Sequence, residues 1–361
     1  MKIYLKTYGC QSNIADSEQL ANLLKEHLVT TEKEADTIII NTCGVKEKTQ
    51  NRIINYLKSI KNKKVYVGGC LTSMIDLTKY TNNISGIFDT NTITKVPELI
   101  NQVHGIRIES KEKEDRIHLS QLRQNKEIAI INISQGCLNK CTFCGTKAAR
   151  GWLKSYSIEQ IKEQVEKAVN EGCKRIFLSS QDNGCYGYDI NTDLSKLLNE
   201  IIKIEGNYQI RVGMGNPQHI IKILPDLIES YKSNKIQKFL HIPLQSGSDK
   251  ILKHMLRMHN KETFLNIINS FRKKIPNIHI ATDIIVGYPI ETEKDFQETM
   301  DLLEQIKPEV INISKFARRP GTYATEKLKP LTTQEIKRRS RELTKLKLKL
   351  RKELNESRSS R

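Results

Sequence analysis

The sequence predicts an α/β protein made of two parallel-sheet parts in tandem. Residues 1–103 read as a small domain and 104–127 as a connector. Residues 128–332 read as an incomplete (β/α)6 barrel, and 333–361 as a basic helical tail. Three observations carry this reading. Short β-branched runs alternate with stretches whose apolar residues recur at helical spacing, the pattern of strands joined by crossover helices. Three of the early runs each lead through a turn to a cysteine. The last stretch repeats leucine at helical spacing among lysines and arginines.

In the first part, Ile3–Thr7, Thr37–Asn41 and Val65–Val67 are the strand candidates. The stretch from Ser17 to Lys25 has apolar residues at helical spacing and joins the first two. The connector contains Ser110-Lys-Glu-Lys-Glu-Asp-Arg116, a mixed charge run with little to bury, and Arg116 to Ser120 is expected as an edge strand. In the second part the strand candidates are 128–134, 175–180, 209–214, 238–243, 278–286 and 310–316. Helices are expected over 157–172 and 193–204, the former opened by a capping box of Ser157 and Gln160. In such barrels the active site lies at the C-terminal edge of the strands. In the tail, Leu343, Leu346, Leu350 and Leu354 give one apolar face, and Ser357 to Arg361 is expected to fray.

Composition narrows the class. Hydrophobic residues make up 38% and charged residues 28%, ordinary for a globular protein. No apolar run reaches the ~18 residues of a membrane span, and the N-terminus is too soon charged for a signal peptide. Eight cysteines without such a signal point to metal ligation in a reducing cytoplasm rather than to disulfides. The formal net charge of +18 suits a polyanionic partner, with plain solubility as the bland reading.

The run Cys137-Leu-Asn-Lys-Cys141-Thr-Phe-Cys144 is the most informative. Three thiolates at this spacing can hold an iron–sulfur cluster from one side and leave one iron open. A closed structural zinc site needs a fourth ligand, and Cys173 and Cys185 are the nearest candidates. Neither has another assigned role, and Cys173 reads as structural.

Cys10, Cys43 and Cys70 form a second set. Each follows a strand of a predicted parallel sheet, so all three should emerge at one sheet edge, where ligand crevices form. Flanking Gly9, Gly44, Gly68 and Gly69 would let backbone approach a bulky cluster. The bland reading is three small buried hydrophobes.

The Cys137–Cys144 run, with Phe143 before its last cysteine, resembles the radical S-adenosylmethionine (SAM) enzymes. Two three-cysteine sites in this order resemble the methylthiotransferases within that superfamily. The likeness covers residues 1–345 and includes Thr7-Tyr-Gly-Cys-Gln-Ser-Asn13, Asn41-Thr-Cys-Gly-Val45, His241-Ile-Pro-Leu-Gln-Ser-Gly-Ser-Asp249 and Arg319-Pro-Gly-Thr322. Thr146-Lys-Ala-Ala-Arg-Gly151, Asp182-Asn-Gly-Cys-Tyr-Gly187 and Arg211-Val-Gly-Met-Gly-Asn-Pro217 look like the archaeal and eukaryotic branch. That branch modifies N6-threonylcarbamoyladenosine beside the tRNA anticodon.

The resemblance implies a flavodoxin-like N-terminal domain and a partial radical SAM barrel. It implies two 4Fe–4S clusters, a radical one on Cys137, Cys141 and Cys144 and an auxiliary one on Cys10, Cys43 and Cys70. SAM contacts are implied at Phe143, at Ser180, Gln181, Asp182 and Asn183, at Gln245 and Ser246, and from Asp283 to Gly287. One SAM would methylate a sulfur carried by the auxiliary cluster. A second would give the radical that takes hydrogen from carbon 2 of the adenine. Partners would be tRNA, an electron donor and a sulfur source; a cytoplasmic setting follows from the cysteines, and the oligomeric state is left open with a monomer favoured. The family's small C-terminal TRAM barrel, which grips tRNA, is expected to be absent from this chain. The alternatives are a methylthiotransferase for isopentenyladenosine in tRNA or for a ribosomal-protein aspartate, and a non-catalytic RNA-binding metalloprotein. His241 is expected either to line the cavity or to be a hydrogen-bonded core residue.

Overall fold

The structure is a computed structural model that describes residues 1–102 and 105–359. The chain divides into two compact units. One comprises Met1–Cys137 and Gly145–Gln181, the other Leu138–Cys144 and Asp182–Arg361. The expected domain boundary at 103 and 104, and the last two residues of the tail, lie outside the described residues.

The first unit is built on a five-stranded parallel sheet. Its strands are β1 (Ile3–Thr7), β2 (Thr37–Thr42), β3 (Lys64–Gly69), β4 (Gly86–Phe88) and β5 (Ile106–Ile108), in that spatial order. Strand β2 is buried along its whole length, with Ile38, Ile39 and Ile40 at its centre, because both faces of the sheet are covered. Ile39 packs on one face with Leu20 and Phe88. Ile38 and Ile40 pack on the other with Ile53, Leu57 and Val67. The helices Gln11–Leu23 and Glu47–Ser59 supply the covering residues on opposite faces. The first of these helices begins earlier than its apolar pattern indicates, because Cys10 is its N-cap.

Two expectations for the connector are corrected. The edge strand is β5, over Ile106–Ile108, and not the segment from Arg116 to Ser120, which forms no strand. Nor does the charge run have little to bury: Arg116 is 2% exposed and binds Asp16 at 3.2 Å. A side chain so deeply fixed holds this segment without any ladder of backbone hydrogen bonds.

The first unit also contains β6 (Ile128–Asn132), a short antiparallel pair of β7 (Ser134–Gln135) and β8 (Lys154–Ser155), and β9 (Arg175–Ser179) parallel to β6. Helix Ile158–Asn170 joins them, and its capping box of Ser157 and Gln160 is present as expected. These strands belong with the N-terminal sheet because helix Gln11–Leu23 packs on β6.

The second unit contains β10 (Gln209–Val212), β11 (Phe239–His241), β12 (His279–Val286) and β13 (Val310–Lys315). Strands β11, β12 and β13 form a parallel sheet. Among the described residues the parallel ladders form open sheets, and none of them closes into a ring. The final helix, Thr333–Ser359, docks on β13 through Leu343, Leu346 and Leu350. Gly287 lets it do so. Its φ is +79°, and a Cβ there would come within 2.5 Å of Ile336 Cγ1. The helix is pinned further by Arg339, which reaches the buried Glu291 at 2.7 Å.

Candidate active site

In the first unit the parallel register brings the second cysteine set to one edge. Thr7 pairs with Asn41, and Asn41 with Gly68, so the C-terminal ends of β1, β2 and β3 are level. Cys43 and Cys70 directly follow β2 and β3, and Cys10 caps the helix that follows β1. Cys43 and Cys70 are buried; Cys10 is exposed.

Polar side chains fix this edge. Asn13 Nδ2 donates to Asn41 Oδ1 at 3.2 Å and to the Thr42 carbonyl at 3.0 Å. Asn41 Nδ2 returns a bond to the Asn13 carbonyl at 2.9 Å. Thr42 Oγ1 donates to the Gly68 carbonyl at 2.5 Å and accepts from Leu71 N at 3.3 Å. Each loop bearing a cysteine is thereby tied to its neighbour. Two of the flanking glycines are also required by the fold itself. A Cβ at Gly69, whose φ is +91°, would strike Asn41 and the backbone of Thr42, and one at Gly68 would strike Phe88. The close approach is to the protein's own strands and core.

Sequence reading missed the charged group at this edge. Arg150, 3% exposed, ends the short helix Thr146–Arg150. Its Nε lies 3.4 Å from Cys70 Sγ, and its Nη2 binds Asp16 at 2.5 Å. Asp16, 1% exposed, thus holds both Arg150 and Arg116. Burial opposes the charge of Arg150, but Asp16 and then Cys70 outweigh it and move its pKa up. Burial pushes the Cys70 thiol up, and Arg150 pulls it back. Arg150 stood in a quoted motif without a role. Asp16 carried no local signal, because it meets Arg150 across 134 residues of sequence.

The same unit holds Cys137, which is half-buried. Its N–H donates to the Gly151 carbonyl at 3.3 Å, and Lys147 Nζ reaches its carbonyl. Gln181 bridges toward the other cysteine set. Its Oε1 accepts from Gly136 N at 2.6 Å, and its Nε2 meets Ser12 Oγ at 3.5 Å. Ser12 lies two residues beyond Cys10 and also bonds Ser179 at 2.9 Å. Ser180 is half-buried beside Gln181.

In the second unit, Cys141 and Cys144 are half-buried on one tight turn, with Cys144 N donating to the Cys141 carbonyl at 3.1 Å. Arg257 Nη1 lies 3.6 Å from Cys141 Sγ, a second arginine at a cysteine sulfur that sequence reading missed. Phe143 packs on a buried cluster with Ile251, Met255, Tyr288, Phe316 and Ala324. Thr142 anchors the turn through Tyr288 at 2.9 Å and the Ala324 N–H at 3.0 Å. Asp182 is fully buried. It accepts from Gly184 N at 3.0 Å, Asn216 N at 2.9 Å and Asn139 Nδ2 at 2.9 Å. Its carboxylate joins the cysteine loop, through Asn139, to the loops of Gly184 and Asn216.

The other expected residues have different settings. Asn183 is buried, its N–H on the Met214 carbonyl at 2.8 Å and its Oδ1 without a partner. Gln245 is half-buried with φ +75°, a left-handed conformation that costs a non-glycine residue about 1–3 kcal/mol and gathers at functional sites. Ser246 is fully buried and accepts from Ser248 N at 3.2 Å. Asp283 lies between His241 at 2.8 Å and Asn312 at 2.9 Å. Gly287 N donates to Glu291 at 2.8 Å. Cys173 Sγ bonds the Lys126 carbonyl at 3.3 Å and Cys185 Sγ the Asp182 carbonyl at 3.3 Å.

The donor sets fit iron–sulfur groups. Each is three thiols, and an arginine stands at one sulfur of each set, where it would offset thiolate charge.

Comparison with known proteins adds the following. Residues 131–303 match the radical SAM superfamily, and residues 2–86 match the uncharacterized protein family UPF0004. A probable threonylcarbamoyladenosine tRNA methylthiotransferase of Pyrococcus horikoshii is 39% identical over 366 residues, covering 98% of this chain and 86% of that protein. Its counterpart in Pyrococcus abyssi is 40% identical, with 99% and 86% covered. The Drosophila melanogaster threonylcarbamoyladenosine tRNA methylthiotransferase is 35% identical, with 96% and 65% covered. Among solved structures, the radical SAM methyltransferase TsrM of Kitasatospora setae superposes with a TM-score of 0.64 at 12% identity. That match covers 90% of this chain and 75% of TsrM, and at this identity it speaks for the fold alone.

Proposed function

The chain belongs to the threonylcarbamoyladenosine tRNA methylthiotransferase family, and on that premise we propose how its own residues serve the reaction. The enzyme converts N6-threonylcarbamoyladenosine beside the tRNA anticodon to its 2-methylthio derivative. The observation that carries this reading is the 39–40% identity over nearly the whole chain. A 4Fe–4S cluster and SAM come with the radical SAM family.

Cys137, Cys141 and Cys144 would hold the radical cluster, and Cys10, Cys43 and Cys70 an auxiliary cluster. Together with SAM, these groups supply a one-electron reductant, a carbon radical and the sulfur to be inserted. The protein's share is placement. Asp182 fixes the cysteine loop through Asn139. Gln181 links Gly136 to Ser12, and so the loop entering Cys137 to the helix capped by Cys10. Ser180, Asn183, Gln245 and the Asp283–His241 pair would contact SAM, with Phe143, Ser246 and Gly287 supporting the backbone around it. Arg150 and Arg257 would balance thiolate charge at Cys70 and Cys141.

The reading includes an external electron donor, a sulfur source, monomeric action and a cytoplasmic setting. No helix among the described residues is long and apolar enough to cross a membrane. The test is mass spectrometry of nucleosides from tRNA incubated with the enzyme, SAM and a reductant. A methylthio gain on N6-threonylcarbamoyladenosine supports the reading. Product only on isopentenyladenosine or on ribosomal protein, or structural zinc without iron and sulfide, overturns it.

A further inference from the structure

The final helix carries many cations, but they fall into two groups. Arg338 binds Glu335, Glu342 and Glu293; Arg339 binds Glu291; Lys349 binds Glu304 at 3.0 Å. These serve the fold. Lys337, Arg341 and Lys345 make no ion pair among the described residues, and neither does Lys315 at the end of β13. These four are exposed and together line one groove, with Ser340 and Thr344 between them. No carboxylate lines it.

The spacing is regular. Lys337, Arg341 and Lys345 recur every fourth residue, hence on one line at steps of about 6 Å. Like charges at this spacing destabilise a helix by a few tenths of a kcal/mol per pair. Among the described residues no ion pair offsets them, and Glu342, three residues before Lys345, is bound by Arg338 instead. The helix is already held by Leu343, Leu346 and Leu350, so the backbone that carries the cations is ordered before any ligand binds.

We propose that this groove, between β13 and the final helix, holds a stretch of the phosphate backbone of the tRNA substrate. Consecutive phosphates along one strand would meet Lys337, Arg341 and Lys345 in turn, and Lys315 would close the side of the groove. The contacts are to phosphate alone, so they position the tRNA without reading its sequence. The proposal rests on the functional reading above.

The test uses the full chain with its clusters. The triple variant Lys337→Gln, Arg341→Gln, Lys345→Gln is compared with a control that removes the same charge elsewhere, Lys273→Gln, Lys274→Gln, Lys294→Gln. Binding to unmodified tRNA is measured across a salt series. Each lost phosphate contact should lower the slope of log affinity against log salt by about 0.7–0.9. The groove variant should therefore flatten the slope by about 2 to 3 and weaken binding more than the control does. Its SAM cleavage without tRNA should be unchanged. Equal slopes and affinities in the groove variant and the control would overturn the proposal. So would unchanged tRNA binding with slower electron transfer from an acidic donor protein, which would assign the groove to that partner. If the unaltered protein neither binds nor modifies tRNA, both the groove proposal and the functional reading fall. If it does both and the groove variant matches it, the groove proposal falls alone.

Discussion

Arg150 Nε lies 3.4 Å from the sulfur of Cys70, and Asp16 grips the other side of the same guanidinium at 2.5 Å. Both charged residues are almost wholly buried. A buried charge so placed is retained only when its partners compensate the loss of water. Asp16 compensates one side, and the cysteine sulfur is the group on the other. The arrangement ties the segment that follows the Cys137–Cys144 run to the second cysteine set.

The first expected outcome concerns that arginine. In protein whose Cys137, Cys141 and Cys144 are all Ala, one iron–sulfur centre should remain. Arg150→Met should shift its reduction potential to more negative values, because a positive charge and an N–H at the sulfur favour the reduced form. Arg150→Lys should fall between. A potential that stays put in the Met variant, with iron still bound, would leave Arg150 a purely structural role.

Cys141→Ala should remove about half of the bound iron, since two separate thiol triplets would hold two like clusters. The signal of the other centre should persist. Iron and sulfide assays with electron paramagnetic resonance report this. Loss of all the iron, or of none, would contradict two independent sites.

Cys43→Ala should separate the two halves of the reaction. Reductive cleavage of SAM should continue, because the radical cysteines are untouched. Methylthio product should disappear. Product at the unaltered rate would show that Cys10, Cys43 and Cys70 do not carry the sulfur.

Arg339→Met should destabilise the second unit by about 3–5 kcal/mol at neutral pH, the usual cost of stranding one partner of a buried ion pair. The pH dependence has a definite sign. Burial raises the Glu291 pKa above its ordinary 4.5, with Arg339 opposing that rise. A carboxyl raised in the folded state loses stability as pH climbs from the unfolded value through the folded one. Without Arg339 the folded value climbs further. The thermal deficit of the variant should therefore be largest near neutrality and shrink toward pH 4.5. A deficit constant with pH would point instead to lost packing of Arg339 over Phe296, 5.6 Å away.

Much of the candidate site was legible because its signals are local. The spacing of Cys137, Cys141 and Cys144 is a property of one loop. The placement of Cys10, Cys43 and Cys70 followed from the parallel direction of the strands before them, since parallel strands end at the same edge. Gln181 and Gln245 were expected only through resemblance; in the structure the first bridges two loops and the second has a left-handed φ. Asp16 and Arg257 were not legible at all. Each is a single charged residue whose partners lie far away in sequence, with no period or motif to announce it.

The sequence by itself determined the α/β class, the parallel direction of the first three strands, the capping box at Ser157 and the spacing of the cysteines. These rest on periodicity, turn chemistry and residue type, which act over a few residues. Tertiary structure alone decided which charges are spent and which are free. Arg116 looked like part of a solvated run and is buried against Asp16. Arg338 and Arg339 looked like a basic face and are bound by carboxylates, while Lys337, Arg341 and Lys345 on the same helix are not. The physical reason is that an ion pair depends on distance in space and on loss of solvent. Neither is set until remote segments have packed together.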